Sequence, residues 1–260
     1  MRSRAPAVAG MFYSDKPQEL AATVRSYLAA TSPSAKPPKA VVAPHAGFIY
    51  SGPIAGSAYA SLATRGPDIE RVILVGPSHR VAFSGIATSG AAFFETPLGP
   101  VHVDREAVDT LTDKGLAREF EQAHQNEHSL EVQLPFLKHT FPDARIVPIL
   151  AGDDDWQALA RAMDLLWGGE ETALVVSSDL SHYHDYATAQ QIDAATAKQL
   201  EGLAAGQVDF EQACGATAVN ALLSVAARKG LACATLDLRN SGDTAGPRDR
   251  VVGYGAFAVS

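Results

Sequence analysis

The stretch RVILVGPSH, residues 71–79, decides how this chain is read. An apolar, β-branched run of this length is the pattern of a strand buried on both faces, and such strands belong to parallel sheets. The run ends in the turn residues Gly76-Pro77-Ser78 and delivers His79 just beyond them. The same ending occurs in KAVVAPHAG, residues 39–47, which closes on His45. It occurs again in TALVVSSDLSH, residues 172–182, which closes on Asp179 and His182. In open α/β sheets, ligand sites gather outside the carboxyl ends of the strands, where strand order reverses. Three polar endings of this kind therefore predict one shared crevice.

Working outward, the alternation of short apolar runs with longer amphipathic stretches predicts an α/β fold. Its mostly parallel central sheet carries helices on both faces. Strands are expected at 39–43, 71–75, 145–150, 172–177, 233–238 and 251–259. Helices are expected at about 16–30, 54–64, 104–114, 129–140, 155–167, 186–204 and 215–229. Asp104 and Gly115 mark the ends of one helix, and Lys229-Gly230 the stop of another. Residues 83–103, rich in Gly, Ser, Thr and aromatics, predict a β-hairpin or an insertion over one end of the sheet. The segment at 32–39 reads as a polar loop. No repeat or linker divides the chain, so a single domain over residues 1–260 is expected.

Composition narrows the function classes. With 21 Lys and Arg against 29 Asp and Glu, the net charge of −8 argues against a nucleic-acid groove. The N-terminus lacks a sustained apolar stretch and no window has the length of a membrane span, so a soluble, cytoplasmic protein is expected. Two cysteines in no metal or disulfide spacing agree with that compartment.

A catalytic metal bound by His45 and His79 needs a third donor. The candidates are a carboxylate (Glu127, Glu131 or Asp179) or the Cys214 thiolate. Cys214 precedes the helical pattern GATAVNALL, where unpaired N–H groups and the macrodipole favour a thiolate. A small buried apolar residue is the other reading of Cys214, and the better one for Cys233. In NEHSLEVQLPFL, residues 126–137, Asn126 or Ser129 is a potential cap, and Glu127 and His128 flank the helix start. In SSDLSHYHDY, Asp179 stands three residues before His182 and can orient it as a general acid/base. The alternative is an Asp cap with exposed histidines. His102, His124 and His139 read as incidental. Phe93 and Phe94 serve equally well as pocket walls or as core, and the place of Tyr50 is open.

In this order, APHAGFIYSG, VGPSH, NEHSLEVQLPFL, SSDLSHY and a Cys-Gly before a helix resemble the Memo family. Its bacterial and archaeal members are called AmmeMemoRadiSam system protein B. The opening RAPAVAGMFYSDKPQEL and closing VVGYGAFAVS extend the resemblance over the whole chain. It implies a fold like the catalytic subunit of the class III extradiol ring-cleavage dioxygenases. It also implies a metal site of His45, His79 and Cys214, with His182, Asp179 and His128 as catalytic residues. Cys214 stands where the dioxygenases have a glutamate, which shifts metal preference and leaves ring cleavage unassured. Fe(II) or copper is the expected cofactor, with zinc as the alternative. The substrate would be a small molecule, and the family name points to association with AMMECR1-like and radical-SAM proteins. A metal-dependent redox enzyme is the leading expectation. A zinc hydrolase and a non-catalytic binding or adaptor module are the alternatives.

Overall fold

The 71–79 run is a strand because six of its residues, Val72 to Pro77, are buried, leaving no face for solvent. A computed structural model describes residues 2–31, 36–152 and 155–260. The chain enters through β1 (Ser3–Arg4), α1 (Pro17–Ala29), β2 (Ala40–Ala43), α2 (Phe48–Leu62) and β3 (Arg71–Pro77). A run of short elements follows: β4 (Ile86–Thr88), β5 (Phe93–Phe94), β6 (Val101–His102), α3 (Arg105–Asp113), β7 (Arg118–Glu119) and α4 (Glu121–Gln125). Then come α5 (Leu134–Thr140), β8 (Arg145–Ala151), α6 (Trp156–Leu166), β9 (Thr172–Ser177) and β10 (His182–His184). The chain closes with α7 (Tyr186–Glu201), α8 (Ala216–Arg228), β11 (Cys233–Asn240) and β12 (Val251–Val259).

The centre of the main sheet is parallel, in the order β2-β9-β3-β8. Antiparallel strands flank it, β12 and β11 beyond β2 and β4 beyond β8. Helices α1, α2 and α5 pack together, α6 pairs with α8 against β3 and β9, and α7 lies on β11 and β12. The fold is the expected α/β sandwich, with a mixed sheet whose core is parallel. The insertion at 83–103 divides its strands: β4 extends the main sheet, while β5 and β6 form a hairpin paired with β1.

Two differences from the sequence reading have simple causes. Helix α2 begins at Phe48 rather than after Pro53, because its first turn closes on Gly47 and the proline is tolerated inside the helix. The segment expected as one helix at 129–140 opens as a tight turn at Glu131–Gln133 before α5. Asp104 caps α3 as expected, accepting from Ala107 N at 3.1 Å. Of the polar loop at 32–39, residues 32–35 lie outside the described residues.

Register then fixes the crevice. Leu174 in β9 is level with Ala40 on one side and Ile73 on the other. Ser177 is consequently level with Ala43. The chain reversals after β2, β9 and β3 thus emerge at one rim, side by side. β9 lies between β2 and β3 although about a hundred residues follow before it is made, and this reversal of strand order opens the crevice.

Candidate metal centre and its cleft

Beyond that rim lies a cleft of about 670 Å³. Its walls include His45, His79, His128, Asp179, His182 and Cys214, so all six residues singled out in the sequence face one space. Within it, ligand-capable atoms of His45, His79 and His128 lie within 4.8 Å of one another. These three imidazoles are a group that can hold a metal ion.

The protonation of His45 follows from its neighbours. Ser177 Oγ donates its single proton to the Ser129 carbonyl at 2.6 Å. Gln133 Nε2 donates to Ser177 Oγ at 2.8 Å and to the Pro44 carbonyl at 2.9 Å, while its Oε1 accepts from Tyr59. Ser177 can then only accept from His45 Nδ1, 2.9 Å away. The proton of His45 therefore sits on Nδ1, and Nε2 offers its lone pair to the cleft. Burial, and next the neighbouring His79, pushes the His45 pKa down to about 3, so the ring is neutral in ordinary buffers.

His79 is set by a carboxylate. Glu127 Oε1 accepts from His79 Nδ1 at 2.9 Å, and its other oxygen accepts the His79 backbone N–H. The same Oε1 accepts the backbone N–H groups of His128 and Ser129, each at 2.9 Å. Burial alone would raise this acid, but hydrogen bonds and charge from His79 outweigh it and hold the carboxyl at about 2. A carboxylate bound to one imidazole nitrogen leaves the other as a donor to metal, as in carboxylate–histidine–metal triads. Neither Asn126 nor Ser129 caps the following turn. The Ser129 hydroxyl instead donates to the Pro77 carbonyl, fastening this segment to the end of β3.

His128 stacks on His79 with ring centroids 4.7 Å apart and meets His45 edge-on at 5.5 Å. Its buried Nδ1 makes no hydrogen bond among the described residues, and Glu127 Oε1 lies 3.3 Å from it. Burial, then the charge of His45, depresses its pKa to about 4. A neutral imidazole beside His45, whose lone pair faces the cleft, and His79, oriented by Glu127, suits a metal.

Cys214 adjoins this trio. Its sulfur lies 3.4 Å from His45 Nε2 and accepts the Asp179 N–H at 3.3 Å. Gly215 makes the approach possible, since a Cβ there would fall 2.7 Å from Ser178 Cβ. Burial, then the nearby Asp179 carboxyl, pushes the thiol well above its ordinary range. This reverses the expectation from the helix terminus. α8 starts at Ala216, and the removal of water from the sulfur outweighs the few N–H groups facing it. With Nε2 of His45 unprotonated, the Cys214 S–H is the donor across that 3.4 Å contact. The thiol proton thus lies between the Cys214 sulfur and the His45 ring.

Asp179 is buried, and that burial raises its pKa. Its Oδ1 accepts the His45 backbone N–H at 2.7 Å rather than the ring of His182. His182 sits on β10, pairs with Val252 of β12 and lines the cleft beside Tyr183. Asp185 caps α7 through Thr188 N at 3.0 Å, which removes it from the chemistry.

Glu131, a candidate ligand by sequence, is turned away from the cleft. It is ion-paired to buried Arg4 and accepts from Ala7 N, Val8 N and the Tyr13 hydroxyl. It straps the N-terminal segment to the core and so places Met11 and Phe12 on the cleft wall. Phe93 and Phe94 belong to the small sheet of β1, β5 and β6 and do not line the cleft, whereas Tyr50 does. Sequence reasoning passed over Ser177, Gln133, Arg250 and Tyr254. Ser177 and Gln133 lie inside quoted motifs, so their polarity in apolar surroundings was the available signal.

Comparison with known proteins supplies the family. The profile of the Memo-like protein family matches residues 4–258. A MEMO1 family protein of Methanosarcina mazei is 32% identical over 272 residues, spanning all of both chains. Relatives described in the same words occur in Pyrobaculum aerophilum, 35% identical over 99% of each chain, and Aquifex aeolicus, 34% identical over 98% of each. No helix among the described residues is long and apolar enough to cross a membrane. With family profile and full-length relatives in agreement, the chain belongs to the Memo family.

Proposed function

We propose that this protein is a metal-dependent redox enzyme acting on a small oxygen-bearing molecule, with Fe(II) or copper as its ion. The observation that carries the reading is the meeting of three imidazoles within 4.8 Å on the wall of an open cleft. His45 and His79 would be the fixed donors, because Ser177 and Glu127 hold their lone pairs toward the cleft. His128 and Cys214 are the further donors within the same space. The Cys214 thiolate is the softer of the two and favours copper or a differently tuned iron. When bound, such an ion acidifies an oxygen of the substrate and accepts or delivers electrons.

The chain's own groups supply the rest. His182, which lines the cleft, would move a proton there, and buried Asp179 holds the His45 loop through its backbone N–H. Kinship with extradiol dioxygenases and association with AMMECR1-like and radical-SAM proteins belong to this proposal and rest on the family resemblance, and a cytoplasmic location belongs to it on the cysteine usage. Three imidazoles with an open position are also a zinc-hydrolase donor set, which makes zinc the second reading. Anaerobic purification without chelator, followed by elemental analysis and absorption spectroscopy, tests both. A thiolate-to-metal band lost in Cys214→Ser supports the redox reading, and stoichiometric zinc with no redox response selects the hydrolase. If no ion binds or raises thermal stability, the metal proposal falls and a binding module takes its place.

A further inference from the structure

β12 runs antiparallel to β2 with Phe257 level with Val42, so its first residues overshoot the carboxyl end of β2. By that register Tyr254 is level with His45. Side chains alternate along a strand, so Val252 and Tyr254 share one face of β12, and Arg250, just before the strand, lines the cleft with them. One face of β12 therefore forms a wall leading from the mouth down to the imidazoles, with Arg250 and Tyr254 roughly 13 Å apart along it at about 3.3 Å per residue.

The two ends of this wall differ in character. Arg250 is exposed and lies over the Tyr183 ring at 4.5 Å. Among the described residues no carboxylate pairs with it, and no other Lys or Arg lines the cleft. Tyr254 is 2% exposed and borders the cleft, yet its hydroxyl has no hydrogen-bond partner among the described residues. The hydroxyl is open to the cleft rather than enclosed by protein atoms, and that open side is where a ligand atom fits. Between the ends, Val252, Tyr50, Phe12 and Tyr183 offer apolar and aromatic surface.

We propose that β12 reads the substrate as an elongated molecule with an oxyanion at Arg250 and a neutral oxygen-bearing end at Tyr254. This deepens the proposed function by naming the substrate class and places the oxygen-bearing end beside the imidazoles, but the binding itself needs no ion. The full chain, treated with chelator, is titrated calorimetrically with 3-(4-hydroxyphenyl)propanoate, its neutral amide, 3-phenylpropanoate and 2-(4-hydroxyphenyl)ethyl phosphate. The hydroxylated acid is expected to bind at least about tenfold tighter than the amide, the change expected for one charge-assisted contact. Arg250→Gln abolishes that preference, and Tyr254→Phe abolishes the preference for the hydroxylated over the unhydroxylated acid. Both substitutions are conservative in shape, and an unchanged melting curve confirms folding. Tighter binding of the phosphate assigns the oxyanion as a phosphate ester, and equal or weaker binding assigns a carboxylate. Equal affinity for acid and amide, a preference that survives Arg250→Gln, or failure of every probe to bind overturns the inference. Acid preference without any metal uptake would sink the metal reading alone, and metal uptake without acid preference would sink this one alone.

Discussion

Ser177 Oγ lies 2.9 Å from His45 Nδ1 and gives its own proton to Ser129, so the hydroxyl can only accept from the imidazole. One serine at the end of β9 thereby decides which nitrogen of a histidine after β2 faces the cleft. Ser177→Ala would leave the Nδ1–H and the Gln133 amide without their buried acceptor. The expected cost is about 1–3 kcal/mol of stability, and about 10- to 100-fold in metal affinity. Urea unfolding and a metal titration measure the two effects. A variant with wild-type affinity would show that the ring is not oriented in this way.

Glu127 plays the corresponding part for His79, and its carboxylate also accepts from three backbone N–H groups, those of His79, His128 and Ser129. Glu127→Gln keeps the shape, removes the charge and puts an amide nitrogen where acceptors are needed. Metal affinity should fall by about 10- to 100-fold, with less change in overall fold. Cobalt or zinc titration of both proteins checks this.

Acid should destabilise the metal-free protein earlier than carboxylate titration alone would. Burial depresses His45 and His124 to about 3 and His128 to about 4, against 6.5 for an unperturbed ring. Between these values the unfolded chain binds more protons than the folded one, so stability falls as pH drops below about 6.5. Glu127, held at about 2, adds a loss in the same direction as pH falls through the carboxylate range toward that value. Urea midpoints taken at steps from pH 7 to 4 should fall steadily. His124→Gln should flatten the slope, and a flat profile in the wild type would contradict the burial of these rings.

The short strap at the N-terminus depends on the Arg4–Glu131 pair, both of whose side chains are almost wholly buried. Glu131→Ala leaves the guanidinium uncompensated and is expected to cost about 3–5 kcal/mol. The segment carrying Met11 and Phe12 should also become sensitive to limited proteolysis, followed by mass spectrometry.

The central strands were legible because a strand buried on both faces reads as an unbroken apolar run. β2, β3, β8, β9, β11 and β12 all announce themselves in this way or by alternation. Short strands such as β7 and β10 carry no such pattern, and His182–His184 reads as loop until β12 is seen to pair with it. His45 and His79 were legible as strand endings. His128 was expected at the pocket from the family resemblance, but its place as a third possible donor was not legible, because it depends on Glu127 folding back onto β3. Glu131 looked like a ligand because its true partner, Arg4, stands 127 positions away. Arg250 and Tyr254 were hidden for a similar reason, since only register shows that β12 outruns β2.

The most direct test of the metal centre is elemental analysis of wild-type protein and His79→Ala purified side by side without chelator. Stoichiometric metal in the wild type, largely lost from a variant that still folds, is the predicted result. Equal metal in both proteins, or a wild type that neither carries nor takes up Fe(II), copper or zinc, would contradict it.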